Sequence, residues 1–112
     1  MNLSRAIGDL EYKRNPTLKP SEQLISCMPD VIVHEIKEGD QFLVMGCDGI
    51  WEMINGDFIT KLVYERLKID EDVVLSEIAE NILDAGLAPD TTRGYGCDNM
   101  STIVVRLDQF KN

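Results

Sequence analysis

Apolar positions along this chain fall into patterned stretches divided by polar segments that carry proline and glycine. Asn15-Pro16-Thr17-Leu18-Lys19-Pro20 reads as a surface loop. Pro29 introduces Val31-Ile32-Val33-His34-Glu35-Ile36, a β-branched run that predicts a strand. Glu38-Gly39-Asp40 marks a turn, and Gln41 to Cys47 follows as a second strand. That second run is apolar or small on both faces, which predicts a central strand covered on both sides. Asn55 and Asp57 stand ahead of Phe58, Ile59, Leu62, Val63 and Leu67, the spacing of an amphipathic helix from about Gly56 to Leu67. Asp70, Glu71 and Asp72 predict the opening of another helix, with acids where the macrodipole favours them. Its stripe is Val74, Leu75, Ile78, Ala79, Ile82 and Leu83, and Gly86 suits the position just past its end. Leu87 to Cys97 reads as a loop and Ser101 to Leu107 as the last strand. Met45, Trp51 and Met53 read as core, and Cys47 and Cys97 as small buried residues.

Two acids break this pattern. Asp48 ends the apolar run Phe42-Leu43-Val44-Met45-Gly46-Cys47, and Asp98 precedes the run Ile103-Val104-Val105 after Asn99-Met100-Ser101-Thr102. A bare charge at the end of a buried strand costs several kcal/mol, or about that order, unless something pairs with it. Two acids so placed are a natural way to hold a hard divalent cation. Each also has a plainer reading. Asp48-Gly49 is a type I′ hairpin dipeptide, and Asp98-Asn99 is a turn signal. The single His34 sits in the predicted strand without a second His or Cys at ligand spacing, and reads as structural. Arg5, close to Asp9, reads as one half of an ion pair.

Composition changes the picture little. A chain of 112 residues makes at most one small domain, and 44% hydrophobic content is that of an ordinary folded protein. The net charge of −9 argues against nucleic acid and against anionic membrane surfaces as partners. No apolar stretch approaches the ~18 residues of a membrane span, and the start of the chain lacks the apolar core of a signal peptide. Three cysteines without CxxC spacing point to a reducing compartment and away from structural zinc.

The segments mean more together. Ser4-Arg5-Ala6-Ile7-Gly8-Asp9, Cys47-Asp48-Gly49-Ile50-Trp51 and Gly96-Cys97-Asp98-Asn99-Met100-Ser101 stand in this order along the chain. In order and spacing they resemble the metal-dependent type 2C protein serine/threonine phosphatases (the PPM family). Glu22-Gln23-Leu24-Ile25 and Pro29-Asp30-Val31 add to the likeness, which runs from Leu3 to Leu107. The resemblance implies an α+β fold in which two antiparallel sheets form a β-sandwich flanked by helices. It implies two Mg²⁺ or Mn²⁺ ions, with Asp48 and Asp98 matching family metal ligands. Glu52 stands where many members carry an aspartate of a weaker additional metal site, and Arg5 falls at the active-site edge. The chemistry implied is hydrolysis of phosphoserine and phosphothreonine in intracellular phosphoproteins, cytoplasmic or nuclear, by water and without a Ser or Cys nucleophile.

The likeness covers only the C-terminal part of that family's domain. The DGHGG-type segment, which supplies the aspartate shared by both metals, has no counterpart among these residues, nor has an upstream basic phosphate contact. Residues 1–112 are therefore expected to be the C-terminal portion of one phosphatase domain, inactive alone and inclined to self-associate. The alternative is a catalytically incompetent piece that acts as a non-catalytic binding or interaction module. Gly49 is expected to let the backbone turn sharply away after Asp48.

Overall fold

The computed structural model describes residues 4–92, 94 and 96–107. Contacts divide the chain into two units, Met1–Ile36 and Lys37–Asn112.

The first unit holds little regular structure. Single turns of 3-10 helix form at Leu10–Lys13 and Pro20–Glu22, and one parallel bridge joins Arg5 to Ser26. The Asn15–Pro20 segment is a loop, as its prolines predict, and Gln23 ties it down. The Gln23 amide donates to the carbonyls of Asn15 (2.7 Å) and Leu18 (3.0 Å), and its oxygen accepts the Asn15 N–H at 3.0 Å. The predicted strand at Val31–Ile36 does not form. The run is irregular, with Ile32 92% and Val33 88% exposed. A β-branched run becomes a strand when a neighbour supplies the ladder, and no strand among the described residues pairs with this one.

The second unit is built around an antiparallel ribbon. β1 (Phe42–Gly46) pairs with β2 (Thr102–Arg106) in the register Phe42↔Arg106, Val44↔Val104 and Gly46↔Thr102. The Glu38–Asp40 turn leads into it: the Asp40 N–H donates to the Lys37 carbonyl at 3.1 Å, and Gly39 takes the positive φ of 105°. Among the described residues, three helices lie between the strands in sequence: α1 (Asp48–Trp51), α2 (Gly56–Ile69) and α3 (Leu75–Gly86). The described residues thus form an α+β arrangement with a two-stranded sheet.

Side-chain alternation gives the ribbon two unlike faces. Phe42, Val44 and Val104 pack against a cluster of Ile50, Ile54, Ile59, Val63, Ile78 and Ile82. Each fully buried aliphatic side chain contributes about 1.5–3 kcal/mol. The other face carries Leu43, Met45 and Ile103, all exposed. The expectation that β1 is covered on both sides therefore fails for these residues: helices cover one face only. Met45 and Trp51 are likewise not core, at 42% and 45% exposed, whereas Met53 does pack against the core.

α2 begins where predicted. Asn55 is the N-cap and its side-chain oxygen accepts the Asp57 N–H at 2.9 Å. Asp57 in the first turn and Arg66 and Lys68 in the last suit the helix dipole. α3 starts five residues later than the acids Asp70–Asp72 suggest. Asp70 terminates α2 instead, and its carboxylate accepts the Asp72 N–H at 3.0 Å. Such local bonding favours a turn over a helix. α3 ends with Gly86 inside it, so Gly86 is a helical residue and not the one past the end. Leu87–Cys97 contains no helix or strand among its described residues; Arg93 and Tyr95 lie outside them, as do Met1–Leu3.

Candidate metal centre

The ribbon places Asp48 and Asp98 at its same end, because β1 runs out toward that end and β2 starts from it. The ladder extends one step past the named strands: the Cys47 N–H donates to the Ser101 carbonyl at 3.1 Å. Asp48 then opens α1, where its carbonyl accepts the Glu52 N–H at 2.8 Å. This excludes the hairpin reading of Asp48-Gly49. Asp98 lies in a bend ahead of β2, and its carboxylate accepts the Asn99 N–H at 2.7 Å. The Asp48 carboxylate accepts the Gly49 N–H at 3.2 Å.

Both acids are exposed. The cost of a buried unpaired charge therefore does not arise in this chain, and the sequence expectation is corrected on that point. Asp48, Asp98 and Asn99 at this end of the ribbon are all exposed to water.

Gly49 has a different purpose from the one expected. It is buried, and its φ is not positive. A Cβ there would lie 2.4 Å from the Asn99 carbonyl oxygen and 3.3 Å from Met100 Cγ. The glycine allows close approach of the Asp98 segment to α1. Gly46 serves similarly beneath Trp51: a Cβ would meet the indole at 3.1 Å, and the indole N–H donates to the Gly46 carbonyl at 2.8 Å. Sequence reasoning missed two further residues. The Cys47 thiol contacts Asn99 and Ser101, and Met100 reaches Gly86. The signal for either was its place within two residues of a candidate ligand.

Glu52 caps the C-terminal end of α1, exposed and one turn from Asp48. Arg5 belongs to the first unit, where it pairs with Asp30 at 2.6 Å and not with Asp9. That pair holds the Asp30 carboxyl below the usual carboxylate range, chiefly through the Arg5 hydrogen bond, and raises the Arg5 guanidinium. Asp9 itself adopts a left-handed backbone, φ 48° and ψ 44°. Cys97 is exposed, contrary to expectation, and Cys47 is half-buried.

Carboxylate and carbonyl oxygens are the donors that Mg²⁺ and Mn²⁺ prefer, so the donor type at the ribbon end fits such an ion. The donor number does not complete a site. Among the described residues no group of three or more His, Cys, Asp or Glu side chains comes together to hold a metal.

A family profile described as protein phosphatase 2C matches residues 1–94. The chain belongs to the protein phosphatase 2C family. It is similar to "Probable protein phosphatase 2C 3" of Paramecium tetraurelia, 50% identical over 110 residues, which are 96% of this chain and 36% of that protein. "Protein phosphatase 2C 1" of the same organism is 48% identical over 96% of this chain and 36% of its own length. "Probable protein phosphatase 2C 60" of Arabidopsis thaliana is 44% identical over 100% of this chain and 30% of its own length. Asp98 falls beyond the profile's match but within the pairing with the Arabidopsis protein, which spans the whole chain. This protein phosphatase 2C chain spans about a third of the length of the curated relatives it matches. No helix among its described residues is long and apolar enough to cross a membrane.

Proposed function

We propose that this chain is the C-terminal part of a metal-dependent protein serine/threonine phosphatase and supplies part of its two-metal site. The observation that carries the proposal is 42–50% identity to several protein phosphatases 2C over nearly the whole chain. In the complete domain the ribbon of β1 and β2 belongs to one sheet of an antiparallel sandwich, and its exposed face is covered. Asp48 and Asp98 are the metal ligands from this chain, Glu52 contributes to an additional weaker site, and Arg5 lies at the active-site edge. Mg²⁺ or Mn²⁺, when bound, offsets phosphate charge and makes water a stronger nucleophile near neutral pH. The chain's own part is to hold two carboxylates at the end of a paired ribbon, so that little reorganisation is needed in the reaction. The substrates are phosphoserine and phosphothreonine in proteins, in the cytoplasm or nucleus. Nucleic acid and membranes are not partners.

The test uses the full-length protein that carries this chain. Asp48→Asn and Asp98→Asn are each expected to lower Mn²⁺-dependent hydrolysis of a phosphothreonine peptide by orders of magnitude and to weaken Mn²⁺ binding in calorimetry, with circular dichroism unchanged. An amide keeps the shape of the side chain and loses its charge. Near-normal turnover at low Mn²⁺ would assign either residue to a structural turn.

A second reading rests on the absence of a three-ligand group among the described residues and on the one-third coverage of the relatives. In it the chain alone is a non-catalytic binding or interaction module. Robust Mn²⁺-dependent hydrolysis by the purified 112-residue chain, abolished by Asp48→Ala, would remove that reading.

A further inference from the structure

Beyond the final ladder contact, the two acid-bearing segments part company. Cys47 is the last residue of the first segment to bond across, through its N–H to Ser101, and α1 starts at the next position. On the other side, residues 98–100 have left the strand geometry. A side chain takes over where the backbone stops. The Cys47 thiol donates to the Asn99 carbonyl at 3.5 Å, and its sulfur accepts the Ser101 N–H at 3.2 Å. One residue thus bonds to the peptides on both sides of Met100. The Asn99 carbonyl is also confined from another direction, since it lies where a Cβ on Gly49 would stand, at 2.4 Å. Asn99 directly follows Asp98, and Cys47 directly precedes Asp48. The thiol therefore joins the neighbours of both candidate ligands.

We propose that Cys47 is a positioning residue: its thiol fixes the spacing of the Asp48 and Asp98 segments by holding Asn99 and Ser101. The inference rests on the proposed reading of those acids as metal ligands. Thiols are weak donors and weak acceptors, so the bonds contribute geometry more than stability. Groups that orient a metal ligand from behind typically alter metal affinity by about 10–100-fold when removed. Cys47 does so here through backbone atoms and not through the carboxylates themselves. A serine hydroxyl keeps one donor and one acceptor, alanine keeps neither, and valine keeps bulk without either.

The experiment measures Mn²⁺ binding by calorimetry in the full-length protein, for wild type, Cys47→Ala, Cys47→Val, Cys47→Ser and Asp98→Asn. Turnover is measured against Mn²⁺ concentration, and melting by circular dichroism. Cys47→Ala and Cys47→Val are expected to weaken Mn²⁺ binding about tenfold, with turnover recovering at saturating Mn²⁺ and a melting shift below about 4 °C. Cys47→Ser, which keeps a donor and an acceptor, is expected to recover most of the binding that Cys47→Val loses; a purely packing role would instead be met by valine, so a valine variant that binds Mn²⁺ as wild type does would overturn the positioning role. If Cys47→Ala does not fold, Cys47→Val decides. Alanine and valine variants that bind Mn²⁺ as wild type does, while Asp98→Asn loses it, would overturn the positioning role alone. Equal weakening by alanine and serine would also overturn it. Full Mn²⁺ binding by Asp98→Asn would overturn the reading of the site and this inference together.

Discussion

Replacing Gly49 by alanine sets two effects of opposite sign against each other. Gly49 lies within α1 with an ordinary helical backbone, so alanine gains helix propensity there, up to about 1 kcal/mol. Against this, the new methyl carbon would stand 2.4 Å from the Asn99 carbonyl oxygen. Favourable contacts between heavy atoms begin at roughly 3.5 Å, so about 1 Å of movement is required. The opposing atom is backbone, not the tip of a flexible side chain. It is held by the Cys47 thiol and lies two residues from the Ser101 ladder bond. Overpacking of this kind costs about 1–3 kcal/mol. The clash wins, and the expected net effect is a loss of about 1–2 kcal/mol. Gly56 provides the control. It is the first residue of α2, and a Cβ there meets nothing within 4 Å. Gly56→Ala should be neutral or stabilising by up to about 1 kcal/mol. Urea denaturation of both variants in the full-length protein, read as a change in midpoint at constant slope, measures the difference. Turnover of Gly49→Ala should fall as well, because the displaced peptide adjoins Asp98. A Gly49→Ala protein as stable as wild type, or two variants that shift in the same direction, would refute the close-approach argument.

Other outcomes follow from the same geometry. The exposed Arg5–Asp30 pair lowers the Asp30 carboxyl, so its contribution is present above the unfolded value of about 3.9 and is lost as pH falls through the lower folded value. A carboxyl-carbon NMR titration should place the Asp30 midpoint below about 3.9, and Arg5→Gln should raise it; a midpoint unmoved by that change would discount the pair. The isolated 112-residue chain should hydrolyse p-nitrophenyl phosphate poorly even in millimolar Mn²⁺, since its described residues assemble no three-ligand group. The same isolated chain should self-associate through Leu43, Met45 and Ile103. Sedimentation equilibrium that finds a stable monomer at high micromolar concentration would show that those side chains tolerate water.

The elements whose own residues carry the cause were legible in the sequence. The Asn55 cap and the 3.6-residue stripe of α2 act within one segment, and the observed helix starts at the expected residue. The apolar runs of β1 and β2 were each legible as strands, though their pairing with one another was not. Elements that depend on a partner were not legible. Val31–Ile36 has strand-forming side chains and no strand beside it among the described residues, so propensity alone leaves it irregular. The apolar outer face of β1 correctly signals a covered strand only if its cover is supplied from elsewhere. Asp70 misled because an acid before an apolar stripe serves a turn as well as a helix start, and the hydrogen bond to Asp72 decides between them. For the candidate centre, the two acids stood out as charges beside apolar runs. The thiol bridge could not be read, because a small residue beside an aspartate carries no mark of what lies across the ribbon.

Both acids reach solvent, so their own charges do little to fix their positions; neutral packing around them must do it. The segment that carries Asp98 is held at several points of unequal stiffness. Gly96 has a φ of 70° and admits Met53, whose Cε lies 2.5 Å from where a Cβ would be. Met100 packs over Gly86, its sulfur 2.7 Å from a Cβ built there. Both contacts end on methionine side chains, which shift with little strain, so bulk added at Gly86 can be accommodated more cheaply than bulk at Gly49. At Gly96 the left-handed backbone adds a cost that any side chain must meet. At Gly49 the opposing group is the Asn99 peptide itself. The stiffest of these contacts is thus the one nearest Asp98 and within one residue of Asp48. That ordering suits the proposed reading of the two acids as a preorganised pair: flexible packing at the margins of the segment, and backbone against backbone closest to the acids.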